Sequence, residues 1–286
     1  MTEPLPPAFL AGLIGAGIQA SRTPAMHEQE GTAQGLRYIY KLIDLTALNI
    51  GPEALPELLT AAERLGFNGL NITFPCKQTV IPLLHELSED ARALGAVNTV
   101  VLKDGRRTGH NTDSSGFAEG FRRGLPDVKR DRVVQVGAGG AGSAVAHAAM
   151  KLGVRHLTVI DTDRAKAEQV AADLCERFGS GRAEPGRDLA AALATADGVV
   201  NTTPVGMAKI PGTPVPPDLL RPELWVAEII YFPLETELLK QARARGARTM
   251  GGSGMALFQA VDAFRLFTGR EADVARMRRA FEAMGA

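Results

Sequence analysis

The sequence predicts a two-domain α/β protein whose middle third is a parallel, doubly wound sheet. Three observations predict it. The chain has 286 residues, above the ~250 at which single cores tend to split. Short apolar runs alternate with helical periods along most of its length, the rhythm of strands joined by crossover helices. Near the middle, one apolar run passes through closely spaced glycines into an alanine-rich helical pattern.

That junction is the most informative segment. The run Arg132 to Val136 ends in Gly137-Ala138-Gly139-Gly140-Ala141-Gly142. A second run, Leu157 to Ile160, stops at Asp161, 19 positions after Gly142 and close to the ~20 of a dinucleotide fingerprint. Gly137 allows the tight turn, Gly139 lets backbone approach a pyrophosphate, and Gly142 lets helix and strand pack closely. The helix start offers N–H groups and a positive dipole end to phosphates. Asp161 suits ribose hydroxyls and repels a 2′-phosphate. The pattern is Rossmann-like and NAD-binding, with Gly137, Ala138, Gly139, Gly140, Ala141 and Asp161 as cofactor contacts. The bland alternative is an ordinary βαβ turn with glycines for packing alone.

The elements follow in order. Phe9 to Ile14 reads as a strand, and Pro24 opens a helix through about Gln34. Tyr38 to Ile43 alternates like a strand, and Pro52 to Leu65 has a helical period. Gly69 to Thr73 is a short strand, and Val80 to Leu87 is apolar on one helical face. Ser88 is an N-cap for a helix over Glu89 to Leu94. Ala96 to Leu102 and Arg107 to His110 flank Asp104-Gly105, a hairpin signal. A helix covers Asp113 to Arg123, and Gly124 to Asp127 is a turn. Further strands are His156 to Ile160, Gly198 to Asn201, Trp225 to Ile229 and Arg248 to Met250. Pro211 to Pro217 is a surface loop. Helices near Ser253 to Phe267 and Glu271 to Met284 close the chain. The domains are then 1–113 for substrate, 114–250 for the dinucleotide, and C-terminal helices 251–286, the first packing back toward the substrate domain. Strands that precede the dinucleotide unit suggest that the first third builds the substrate side of a cleft.

Composition narrows the class. Lysine plus arginine and aspartate plus glutamate balance at 32 each, so no net field favours nucleic acid or an anionic membrane. Arg276, Arg278 and Arg279 read as a solvated helix face. Cys76 and Cys175 are the two cysteines, too few for a disulfide framework, and reduced thiols suit a cytoplasmic protein. The five histidines show no metal-ligand spacing, so no metal is expected. Met1 to Pro7 does not read as a signal peptide, and no 18-residue apolar run suggests a membrane span. Nothing in the pattern decides between monomer and homodimer.

Several polar groups stand near predicted strand ends, where α/β sheets place their chemistry. Ser21-Arg22-Thr23-Pro24 sets two hydroxyls before a helix. Asn71-Ile72-Thr73-Phe74-Pro75-Cys76-Lys77 sets an amide, a hydroxyl and an ammonium together. Asn98 lies in Gly95-Ala96-Val97-Asn98-Thr99, and Asp113 ends Asn111-Thr112-Asp113. Each has a structural alternative. Ser21 and Thr23 could cap the helix, Asn71 and Asn98 could satisfy turn backbone, Asp113 could be an N-cap, and Lys77 could be solvated.

These motifs, in this order along residues 10 to 284, resemble the shikimate dehydrogenase family. Asn201-Thr202-Thr203-Pro204-Val205-Gly206-Met207, the Tyr231/Pro233/Thr236/Leu238 segment and the Gly254/Met255/Gln259/Phe264 segment are similar to further signatures of it. The resemblance implies reversible oxidation of a cyclic hydroxy acid with a nicotinamide cofactor. It makes Lys77 and Asp113 the catalytic pair, and Ser21 and Thr23 the holders of the substrate carboxylate. Thr73, Asn98 and Gln259 would contact ring hydroxyls, and Tyr231 would border substrate and nicotinamide. Thr203, Pro204, Gly254 and Met255 would lie on the cofactor side. A lysine amine can take the hydroxyl proton and return it; burial lowers its pKa while Asp113 raises it.

Two departures refine the expectation. Relatives that use NADP usually read Asn-Arg-Thr where this chain has Asp161-Thr162-Asp163, so NAD is the expected cofactor. Arg164 could still turn toward a phosphate, and Asp163 could be only a helix cap. Thr23 stands where biosynthetic enzymes commonly carry serine, which resembles the quinate/shikimate dehydrogenase branch. Both quinate and shikimate are then expected substrates. The rivals are an NADP-linked shikimate dehydrogenase of aromatic amino-acid biosynthesis, a methylene-tetrahydrofolate dehydrogenase-like enzyme, and a non-catalytic dinucleotide sensor.

Overall fold

The computed structural model describes residues 6–283. The predicted helix end at Met284 and most of the segment Met1 to Pro7 lie outside the described residues. The rest divides into two compact units, one running up to Thr112 and resuming at Gln259, the other Asp113–Phe258.

The first unit contains β1 (Ala8–Gly15), α1 (Thr23–Ala33), β2 (Arg37–Asp44), α2 (Leu45–Leu48), α3 (Leu55–Arg64), β3 (Gly69–Ile72), α4 (Cys76–Thr79), β4 (Glu86–Leu87), α5 (Glu89–Leu94), β5 (Thr99–Lys103) and β6 (Arg106–His110). Its sheet runs β2-β1-β3-β5-β6-β4. β2, β1 and β3 are parallel, and β5 joins antiparallel to both β3 and β6. Asp104 and Gly105 both take positive φ, 52° and 71°, the torsions that an Asp-Gly hairpin turn supplies. Leu55, Leu59, Leu70, Ile72 and Val100 form its core, each contributing ~1.5–3 kcal/mol through burial.

The stretch Val80 to Leu87 is not the expected helix. A 3-10 turn, Ile81–Leu83, is followed by β4, which pairs with β6. Pro82 has no N–H and fixes φ, so a continuous helix cannot run through it. Pro52 to Leu65 likewise divides into a 3-10 turn and α3.

The second unit continues with α6 (Thr112–Gly124), β7 (Arg132–Val136), α7 (Gly140–Lys151), β8 (His156–Ile160), α8 (Arg164–Phe178), β9 (Ala183–Pro185), α9 (Leu189–Ala194), β10 (Gly198–Asn201), β11 (Trp225–Glu228), α10 (Glu237–Ala244), β12 (Thr249–Met250) and α11 (Ser253–Thr268). Its strands are all parallel, in the order β12-β11-β10-β7-β8-β9. Counted from β7, this is the doubly wound order 3-2-1-4-5-6, with its switch point between β7 and β10. Side chains alternate between two buried layers. Val133, Leu157, Val159 and Val200 face one core, and Val134, Val136, Val199 and Val226 face the other. β9 was not foreseen, because Ala-Glu-Pro carries no strand pattern and acquires its form by pairing with β8.

The chain passes between the units at Thr112–Asp113, and again within α11 between Phe258 and Gln259. α12 (Val274–Ala283) closes the first unit and starts later than the predicted Glu271. Arg276 is not simply solvated: its guanidinium reaches the buried Glu30 carboxylate at 2.9 Å, and Glu30 also accepts from the Asp273 N–H.

Candidate active site

In the first unit, hydrogen bonds gather the separate motifs at the strand ends. The Ala16 N–H donates to the Phe74 carbonyl at 2.9 Å. A Cβ on Gly15 would lie 2.3 Å from the Thr73 methyl, so the β1 end packs directly on Thr73. The Val97 N–H donates to the Lys77 carbonyl at 2.8 Å, which seats Gly95 to Thr99 against the lysine segment. Asn98 then engages the residue before Asp113. Its Oδ1 accepts from the Thr112 N–H at 2.7 Å, and its Nδ2 donates to Thr112 Oγ1 at 2.9 Å. The backbone thus links Lys77, Asn98 and Thr112 in sequence, and Asp113 follows.

Asn98 is held on all sides. Its Oδ1 also accepts from the Thr99 hydroxyl, and Thr99 accepts from Asn71 Nδ2 at 2.9 Å. Asn71 in turn accepts from the Tyr40 hydroxyl at 2.7 Å. Asn71 is therefore a buried supporting residue. Asn98 spends one N–H on Thr112, and its amide carries a second N–H suited to a ligand hydroxyl.

Ser21 and Thr23 do not cap α1. The N-cap is Arg22, with no side-chain capping bond. The Ser21 hydroxyl instead donates to Thr23 Oγ1 at 3.2 Å and accepts from the Thr23 N–H at 3.3 Å. Both residues are half-buried. Arg22 turns inward, donating to the Phe281 carbonyl at 3.0 Å and stacking over the Phe281 ring. Lys77 lies in the single turn α4 and is half-buried, and Gln259 falls on the part of α11 that belongs to this unit.

In the second unit, the glycine turn is braced from three directions. Gly137 has φ 107°, and a Cβ there would lie 2.6 Å from Thr202 Oγ1. A Cβ on Gly142 would lie 2.6 Å from the Gly137 carbonyl. The Thr202 hydroxyl donates to that carbonyl at 2.8 Å. Gln135 Nε2 donates to the carbonyls of Gly137 and Gly142 at 2.8 and 2.9 Å. Neither Gln135 nor Thr202 was anticipated as a support. The available signal was a glutamine inside an otherwise apolar strand.

Around Gly139 and Gly140 the picture reverses. Both are exposed, and a Cβ at either would meet nothing within 4 Å. They open α7, the N-terminus beside β7 at the switch point. Asp161 directly follows β8, and its Oδ2 accepts from the Ala138 N–H at 2.6 Å while its Oδ1 accepts from the Asp163 N–H at 2.7 Å. Asp163 stands at the N-cap of α8 but makes no side-chain capping bond, pairing with Lys166 instead. Arg164 pairs with Glu168 at 2.6 Å, an exposed contact of the kind typically worth under ~1 kcal/mol. Asp113 is not the N-cap expected of it, since α6 already begins at Thr112.

Thr203 is half-buried and Pro204 exposed. The Thr203 hydroxyl and N–H both donate to Asn201 Oδ1. Ala141 is half-buried on α7. Tyr231 is exposed, beside the cis bond Phe232–Pro233. Gly254 packs on Gly120, where an added Cβ would lie 3.2 Å from the Gly120 Cα, and Met255 is part of the core.

The sequence of β10 and β11 ends on a buried carboxylate. Glu228 is fully buried and accepts from Asn201 Nδ2 with both oxygens, from the Ile230 N–H at 3.0 Å and from the Thr236 hydroxyl. Burial pushes its pKa up to about 7, against the opposing pull of these donors. No cation is among those partners, so desolvation prevails.

A dinucleotide fits this unit. The glycines whose Cβ would clash shape the turn, and those facing open space leave its N–H groups approachable by a pyrophosphate. A doubly wound sheet with such a turn at the switch point, in one chain with a separate α/β unit rich in hydroxyl, amide and ammonium groups, defines a two-unit dinucleotide-dependent oxidoreductase.

Comparison with known proteins identifies the family. The shikimate dehydrogenase substrate binding domain matches residues 13–100, and the shikimate 5'-dehydrogenase C-terminal domain matches residues 252–280. A ThiF family model matches residues 114–175, the segment that carries the glycine turn. A shikimate dehydrogenase (NADP(+)) of Streptomyces avermitilis is 58% identical, over 94% of each chain. A quinate/shikimate dehydrogenase (NAD(+)) of Corynebacterium efficiens is 53% identical, over 96% of this chain and 98% of its own. The solved quinate dehydrogenase from Corynebacterium glutamicum in complex with NAD superposes with a TM-score of 0.92 at 52% identity, covering 96% of this chain and 99% of its own. The chain belongs to the shikimate dehydrogenase family and is an oxidoreductase of its quinate/shikimate dehydrogenase class, using a nicotinamide cofactor.

Proposed function

We propose that the protein is an NAD-dependent quinate/shikimate 3-dehydrogenase, interconverting quinate or shikimate with the 3-keto acid. The observation that carries the choice of NAD is Asp161. Its carboxylate is anchored by two backbone N–H groups at the end of β8, beside the glycine turn. A fixed anion suits two ribose hydroxyls and opposes a 2′-phosphate. Asp163 adds a second negative charge nearby, and Arg164 is engaged with Glu168. The second reading, an NADP-dependent shikimate dehydrogenase, is favoured by the Streptomyces avermitilis relative.

A bound nicotinamide supplies the hydride acceptor. The chain's own residues do the rest. Lys77 takes the proton of the 3-hydroxyl during oxidation and returns it during reduction, worth ~10²–10⁴-fold. Asp113 orients that exchange and binds the same hydroxyl. Ser21 and Thr23 hold the substrate carboxylate, and the Thr23 methyl shapes the pocket beside the extra hydroxyl of quinate. Thr73, Asn98 and Gln259 bind ring hydroxyls, Asn98 through the N–H that its bond to Thr112 leaves over. Tyr231 borders the substrate, and Thr203, Pro204, Gly254 and Met255 lie toward the nicotinamide. The free thiols of Cys76 and Cys175 suit a reducing cytoplasm.

Steady-state kinetics with the four pairs of NAD or NADP and quinate or shikimate test this reading. It predicts turnover of both acids with NAD and a kcat/KM for NADP lower by at least tenfold. A preference for NADP without quinate turnover refutes it in favour of the biosynthetic alternative.

A further inference from the structure

We propose that Asp44 is a positioning residue for the substrate, its carboxylate shaping the loop that presents Ser21 and Thr23. The proposal rests on the reading of those two hydroxyls as the carboxylate subsite. Asp44 ends β2 in register with Gly15, where β1 ends. From Gly15 the chain runs through Ala16, Gly17, Ile18, Gln19 and Ala20 to Ser21, outside any helix or strand. This segment lacks a ladder of its own, and Asp44 supplies one.

Each carboxylate oxygen takes two donors. Oδ1 accepts from the Gly17 N–H at 2.8 Å and the Thr46 N–H at 3.0 Å. Oδ2 accepts from the Ile18 N–H at 3.1 Å and from Gln19 Nε2 at 3.0 Å. Gly17 has φ 67°, a left-handed conformation open to glycine that goes with its N–H and that of Ile18 both meeting one carboxylate. The Ser21 N–H then donates to the Ile18 carbonyl at 2.9 Å. The clamp is thereby carried to Ser21, whose hydroxyl bonds Thr23 Oγ1. The segment's other anchors are Ala16 on the Phe74 carbonyl and Arg22 on the Phe281 carbonyl, one at each end. Asp44 secures the part between them.

The chemistry calls for a carboxylate. Four donors converge, and three of them are backbone N–H groups that cannot accept, so an amide at this position would turn its NH₂ toward at least one N–H. Asp44 is 3% exposed. Burial alone would raise its pKa, but the donors at Gly17, Gln19, Thr46 and Ile18 hold it below the ordinary aspartate value. The negative charge is absorbed by these donors. Its remaining effect on a substrate carboxylate is repulsion, which gives the proposal a clear opposite.

The test measures kcat and KM for quinate at saturating NAD in Asp44→Asn, Ser21→Ala and the double variant. For Asp44→Asn the expected result is a KM raised about tenfold, as the loop must be ordered on binding, with kcat within about threefold and the KM for NAD unchanged. Ser21→Ala should raise KM less in the Asp44→Asn background than in the wild type, because the two act as a unit. Gly17→Ala is the second variant should Asp44→Asn not fold. An added Cβ meets nothing within 4 Å there, and the strained φ should raise the quinate KM in the same direction. If Ser21→Ala raises KM while Asp44→Asn leaves it unchanged or lowers it, the proposal fails and the Ser21/Thr23 subsite stands. If Ser21→Ala leaves KM unchanged, that subsite fails and the proposal with it.

Discussion

Replacing Glu228 with glutamine should remove a defined pH dependence of stability. The folded carboxyl has a pKa of about 7 against an ordinary 4.5. Between these values the unfolded chain is ionised while the folded chain retains the proton, so the folded state binds more protons. Stability therefore falls as pH rises through this window. The contribution is fully present below pH 4.5 and lost above pH 7. With 2.5 units of difference at ~1.4 kcal/mol each, the loss is about 3 kcal/mol. Glutamine resembles the protonated form. Its carbonyl can accept from Asn201 and the Ile230 N–H and its NH₂ can donate to the Thr236 oxygen, while the second Asn201 contact, made to the other carboxylate oxygen, is lost. The assay is thermal denaturation of wild type and Glu228→Gln at pH 5, 6, 7 and 8. Near pH 5 the variant should melt at or somewhat below the wild type, having lost one Asn201 bond. By pH 8 the difference should have moved in the variant's favour by about 3 kcal/mol, roughly 6 °C at the ~2 °C per kcal/mol expected of a chain this size. A difference in melting temperature that stays constant from pH 5 to 8 would refute the assignment of a neutral buried acid.

Three further outcomes follow from the glycine turn and the strand-end acid. Gly142→Ala forces a Cβ to within 2.6 Å of the Gly137 carbonyl, so it should cost ~1–3 kcal/mol by overpacking and weaken NAD binding; calorimetry and a binding titration showing neither effect would count against the packing role. Gly139→Ala, with open space around its Cβ and an ordinary φ of −73°, should leave the melting temperature unchanged while weakening NAD binding. Asp161→Ala should raise the Kd for NAD by roughly tenfold to a hundredfold, the value of a lost charge-assisted contact of ~1.5–3 kcal/mol, and shift the NAD/NADP ratio of kcat/KM toward NADP. An unmoved ratio would defeat the charge argument.

Local chemistry made much of the fold legible. The apolar runs, the Asp104-Gly105 turn and the Ser88 cap are short-range patterns, and the structure places a hairpin and a capped helix where they stand. The glycine turn was legible because its sterics demand glycine at particular steps. What escaped was decided by distant partners. β9 exists through β8, and a 3-10 turn with β4 replaces a helix that Pro82 interrupts. Asp163 has the chemistry of a cap and stands at the N-cap of α8, yet it makes no side-chain capping bond and pairs with Lys166 instead. The supports of the two sites were also hidden. Thr202, Asn71 and Asp44 act across 27 to 66 residues of sequence separation, beyond any local period, while Gln135 turns its amide onto the loop that follows its own strand. Glu228 carries no local pattern that marks it, and its burial and its hold on Asn201 and Thr236 emerge only in the structure.

The most direct test of the central claim is single-turnover reduction of NAD by quinate in Lys77→Ala, followed by absorbance, with NAD affinity measured in parallel. Removal of the proton-transferring amine should slow hydride transfer by ~10²–10⁴-fold while the Kd for NAD stays within about twofold. Undiminished hydride transfer in the variant would contradict the account, whatever its affinity for the cofactor.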